Sequence, residues 1–115
     1  MATNEHPVHC PVELTLDLLG GKWATVVLAH LKEGVHRYGG LRRRMPEVSE
    51  KVLVQRLRDL EAKGLITRHS DGGSPPAVEY RLTEEGLSLV PVLEALYAWG
   101  EKRAARTGVR IEPAP

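Results

Sequence analysis

The sequence predicts a mainly α-helical domain carrying a small β-hairpin, an α+β chain. Apolar residues recur at helical spacing through most of residues 11–63. The period then changes to strict alternation in "AVEYRLT" at 77–83. A leucine-rich helical stretch follows, to about residue 104. At 115 residues the chain has the length of one domain with one modest core.

In "CPVELTLDLLGG", Pro11 occupies a first turn that tolerates it, Leu14, Leu18 and Leu19 form an apolar face, and Gly20-Gly21 make a stop. "KWATVVLAHLKEG" predicts a second helix bearing Trp23, Val26, Val27, Ala29 and Leu31, apolar enough to run through the middle of the domain and ended by Gly34. "HRYGGLRRRMP" begins extended and becomes a short helix that Pro46 terminates, with Tyr38, Leu41 and Met45 on its buried side. After the turn "PEV", Ser49 is an N-cap for a helix over 50–63 and Gly64 is placed as its C′ residue. Leu53, Leu57 and Leu60 fall within about one-sixth of a turn of one another and face the core.

Ile66 and Arg68 belong to a first strand; Val78, Tyr80 and Leu82 alternate with Glu79 and Arg81 on a second. Asp71-Gly72-Gly73 and Pro75-Pro76 form the tip between them. Thr83 caps a last helix with Glu84 and Glu85 in its first turn, running to about 104 and bent by Pro91. Leu87, Leu89, Val90, Val92, Leu93, Leu96, Tyr97 and Trp99 cover more of that helix than a small domain can bury, which argues for a partner, most simply an identical subunit. Residues 1–9 and 105–115 read as flexible tails around a domain at 10–104.

Charge is nearly balanced, 16 Lys and Arg against 15 Asp and Glu. Its distribution is not: residues 36–69 hold nine basic and four acidic side chains, which polarises the molecule toward an anionic partner. A single cysteine excludes an intrachain disulfide and fits a reducing compartment. No apolar run reaches membrane-span length and "MATNEHPVHC" has no signal-peptide core, so a cytoplasmic protein without a membrane partner is expected.

Helix, short helix, tight turn, long helix and hairpin, in that order, make a winged helix-turn-helix with flanking N- and C-terminal helices. In such a module the second helix of the pair lies in the DNA major groove and the hairpin flanks it. With the three leucines inward, Lys51, Gln55 and Arg58 share the opposite face, and Ala62 continues it. Lys and Arg pair with guanine O6 and N7, and Gln with adenine N6 and N7. Arg37, Arg42, Arg43, Arg44, Arg68 and His69 are expected to hold phosphates of double-stranded DNA.

"CPVELTLDLLGGKW", "LRRRMPEVSEKVLVQRLRDLEAKGLITR" and "PPAVEYRLTEEGLSLVPVLEALYAWG" resemble the HxlR-type family of bacterial winged-helix transcription regulators, over about residues 10 to 100. The resemblance implies a homodimer formed through the first and last helices, here Leu14, Leu18, Val90, Leu93, Leu96 and Tyr97. It implies an inverted-repeat operator and a repressor more often than an activator, with Ser49, Lys51, Gln55, Arg56 and Arg58 in the DNA-reading segment. This sequence departs from the family at Glu50, where proline or an uncharged residue is common, at Val54 (often threonine), at Ala77 (often arginine) and at Gly39-Gly40.

Cys10 precedes Pro11 at a helix start, where backbone N–H groups stabilise a thiolate. In several members of the family resembled, the cysteine of this "CP" motif senses oxidants or electrophiles, which implies redox sensing here; the alternative is a packing residue near a tail. A small-molecule effector is a further alternative, with Trp23 and Trp99 as pocket residues against their more ordinary role in a core. A protein-binding winged helix without DNA specificity is another. No cofactor and no metal site is expected: His6, His9 and Cys10 supply one soft ligand and no second cluster, and His30 and His36 read as ordinary helix and turn residues. No enzyme is expected, since neither a positioned base beside Cys10 nor a phosphate-binding glycine loop is present.

Overall fold

The structure, a computed structural model, describes residues 7–113. Its elements are α1 (Pro11–Leu19), α2 (Lys22–Lys32), α3 (Tyr38–Arg44), α4 (Glu50–Ala62), β1 (Ile66–Ser70), β2 (Val78–Leu82), α5 (Glu84–Ser88) and α6 (Val90–Thr107). α2 runs through the centre, as its composition predicts, although Ala24 and Leu28 join Val27 and Leu31 in full burial while Trp23 and Val26 pack at the edge. Leu41 and Met45 of the short-helix segment and Leu53, Leu57 and Leu60 of α4 close on it.

Ser49 caps α4 as expected: its hydroxyl accepts from the Val52 N–H at 3.1 Å. At the other end Gly64 adopts φ 76°, its N–H donates to the Glu61 carbonyl, and the Leu65 N–H reaches the Leu60 carbonyl at 3.1 Å. Both bonds satisfy last-turn carbonyls, and they turn the chain directly into β1. The Lys63 ammonium, at the same end, donates to the Asp17 carbonyl at 2.8 Å and reaches the Leu18 carbonyl at 3.5 Å. The C-terminal ends of α1 and α4 are thereby joined.

The hairpin is antiparallel with Ile66 opposite Leu82, Arg68 opposite Tyr80 and His69 opposite Glu79. A short extended segment extends it: Arg37 bridges to Glu79, and the Tyr80 N–H donates to the His36 carbonyl at 2.8 Å. At the tip, Asp71 Oδ1 accepts from the Gly73 and Ala77 N–H groups at 2.8 and 3.0 Å.

The last helix differs from expectation. Thr83 does cap a helix, its hydroxyl accepting from Gly86 N–H, but that helix ends at Ser88 and a separate α6 begins at Val90. Pro91 stands at the start of α6, where its missing N–H costs nothing. Leu89 at the break is buried in the core. α6 continues beyond residue 104 to Thr107, where Gly108 takes φ 77° and ends it.

Leu93, expected to serve dimerisation, is 3% exposed and lies in the chain's own core. The other residues expected there stay accessible to different degrees. Leu18 and Val90 are half-buried, whereas Leu14, Leu96 and Tyr97 are exposed by 43%, 51% and 64%. Val12, Leu16 and Trp99 are exposed as well, so Trp99 is not a core residue of the single chain. No helix among the described residues is long and apolar enough to cross a membrane.

Candidate nucleic-acid interface

α3, the turn 45–49 and α4 form the helix-turn-helix. Met45 and Val48 anchor the turn in the core, and the Arg42 guanidinium donates to the Val48 carbonyl. Arg42 is therefore committed to holding the turn. With Leu53, Leu57 and Leu60 essentially without exposure, helical geometry leaves Lys51, Gln55 and Arg58 in solvent on the far side, and all three are exposed.

Beside that face a groove of about 860 Å³ runs between α3, α4 and the hairpin. Arg37, Arg43, Arg58 and Arg68 line it, drawn from α3 and its N-cap, α4 and β1. Glu50 and Glu61 line it too, and Tyr38 stands at its wall. The Tyr38 hydroxyl donates to Glu50 at 3.1 Å; burial first, and this bond second, hold its phenol above the ordinary value. Glu50 thus meets a fixed donor at the groove's edge.

Several expected phosphate contacts do not converge. Successive helical residues are about 100° apart, so Arg42 turns to the Val48 carbonyl, Arg43 enters the groove, and Arg44 lies near His30, whose imidazole it helps to depress. Likewise Arg68 shares the Tyr80 face of the hairpin and lines the groove, whereas His69 is on the opposite face with its Nε2 2.9 Å from the Thr67 hydroxyl. Arg56 is set back from the exposed face of α4. Its guanidinium pairs with Asp59 at 3.2 Å, and its Nε is buried.

The sequence carries no local signal that Arg37 and Arg68 line one groove, because that depends on a bridge between Arg37 and Glu79 far apart in the chain. Cys10 is exposed, at the extended N-cap of α1, and its side chain makes no capping bond. Its carbonyl accepts from the Glu13 N–H at 3.0 Å. Among the described residues no group of three or more His, Cys, Asp or Glu is placed to hold a metal; His6 lies outside the described residues.

Comparison with known proteins bears on this geometry. An uncharacterized HTH-type transcriptional regulator of Methanothermobacter thermautotrophicus is 42% identical over 106 residues, 92% of this chain and 81% of that protein. YtcD of Bacillus subtilis, also described as an uncharacterized HTH-type transcriptional regulator, is 47% identical over 95 residues, 83% of this chain and 75% of its own length. The structure of the redox regulator HypR in its reduced form matches with a TM-score of 0.80 at 38% identity, covering 88% of this chain and 100% of that one. The family described as HxlR-like helix-turn-helix matches residues 18–107, and with its winged helix and these relatives the chain belongs to that family.

Proposed function

We propose that this helix-turn-helix transcriptional regulator binds double-stranded DNA as a homodimer, placing α4 of each protomer in the major groove of one half of an inverted-repeat operator. The observation that carries the proposal is the exposed Lys51, Gln55 and Arg58 face standing beside a groove lined by four arginines. Base-reading side chains and backbone-holding charge are then adjacent, as direct readout requires. Two-fold symmetry puts the half-sites about 34–36 Å apart. The uncovered apolar surface of α1 and α6 supports the dimer. Repression is the sense of regulation that the family resemblance implies.

Cys10 is the proposed oxidant- or electrophile-responsive group. Its exposure at a helix start and the likeness to the redox regulator HypR support this. A Cys10→Ser variant that loses operator affinity under diamide as far as the wild type does would remove it from that role.

The test of DNA reading is fluorescence anisotropy with operator and random duplexes over a salt series. Arg58→Ala is expected to cost about 1–3 kcal/mol on the operator and much less on random DNA. Arg43→Ala is expected to weaken both equally and to lower the salt slope by about one. Equal losses from Arg58→Ala on both duplexes would reassign Arg58 to the backbone.

A further inference from the structure

The amide of Gln55 does not stand free. Its Nε2 donates to Oδ1 of Asp59, one turn further along α4, at 2.9 Å. The other oxygen of that carboxylate pairs with Arg56 Nη1 at 3.2 Å. Arg56 in turn is anchored at the flank of the helix, with its Nε buried and unpartnered among the described residues. Arg56, Asp59 and Gln55 thus form a relay from the edge of the core to the exposed face.

An ionised carboxylate has acceptors only, so the amide must turn its NH₂ toward Asp59. Its carbonyl Oε1 is then left facing solvent, and one amide hydrogen remains uncommitted. In the major groove the donors are adenine N6 and cytosine N4, whereas guanine and thymine present acceptors there. An amide fixed with its oxygen outward favours the donors. Its spare hydrogen can also meet adenine N7, which places adenine ahead of cytosine.

We propose that Asp59 is a specificity-determining positioning residue. By holding the Gln55 amide in one orientation it makes α4 select an exocyclic amine, adenine above cytosine, at one position of each half-site on the contacted strand. Arg56 keeps the carboxylate turned to Gln55 and away from phosphates that it would repel. This inference rests on the operator-binding proposal above.

The test begins by selecting a preferred sequence from a random duplex library with the full chain. Each single-base-pair variant of that sequence is then measured by anisotropy with wild type, Asp59→Asn, Gln55→Ala and the double variant. Asparagine can donate as well as accept, so it releases the amide; Asp59 is more than a third exposed, and unchanged helical content would verify the fold. Wild type is expected to prefer adenine over guanine or thymine at one position by about 5- to 150-fold. Asp59→Asn should bring that position close to parity and leave the others standing. Gln55→Ala should flatten the same position, and Asp59→Asn should add nothing there once Gln55 is gone. A uniform change at all positions, an intact preference, or an Asp59→Asn effect that persists without Gln55 would overturn the inference alone. If wild type selects no sequence, the operator-binding proposal fails and the inference falls with it.

Discussion

His30 sits half-buried on α2, and its imidazole is held below the ordinary value of 6.5, by burial first and the nearby Arg44 guanidinium second, with Glu33 opposing. Because the unfolded chain takes up the proton at a higher pH than the folded one, the folded state is disfavoured progressively as pH falls from 6.5 through the lower folded value. Stability is greatest, for this group, above 6.5. His30→Gln is expected to flatten that dependence, which urea midpoints across the window would check; an unchanged slope would assign it to other groups. The same neighbourhood shows why single residues are the hardest scale to read from sequence. Arg42, Arg43 and Arg44 are consecutive and identical, yet one braces a turn, one lines the groove between α3, α4 and the hairpin, and one depresses a histidine. Their identities were legible; their directions depend on what each finds in its own sector of the helix.

Elements follow the sequence more faithfully where their signals are local. Ser49 and Gly64 mark both ends of α4, and its leucines fix which side is exposed. The break at Leu89 was less accessible, because Thr83 and Pro91 are equally compatible with one bent helix; the burial of Leu89 between them decides for two. The pairing of Arg37 with Glu79 was not legible at all, being a single bridge between distant segments. One contact between elements tolerates no side chain. An added Cβ at Gly86 would stand 2.2 Å from the Leu65 carbonyl oxygen, so Gly86→Ala is expected to destabilise by about 1–3 kcal/mol as α5 is pushed from the base of the hairpin. Gly100→Ala is the contrasting case: an added Cβ meets nothing within 4 Å, and helix propensity favours alanine by about 1 kcal/mol. Thermal melts of the two variants should move in opposite directions.

At the scale of the whole molecule, the apolar residues divide between an interior that one chain completes and a surface that it does not. Leu93 belongs to the first, while Leu96, Tyr97 and Trp99 belong to the second. Leu96→Asp is therefore expected to yield a folded monomer by sedimentation, with operator affinity lost far more than affinity for random DNA. A folded dimer with unchanged sedimentation would place the interface elsewhere. The bond from Lys63 to the Asp17 carbonyl joins segments 46 residues apart in sequence, and its position has a mechanical meaning. Cys10 begins α1, and Lys63 grips that helix at its other end. α1 thus carries the proposed responsive thiol at one end and a hydrogen bond to the end of α4 at the other, so a displacement of α1 on modification of Cys10 would reach the helix proposed to touch the bases without passing through the hairpin.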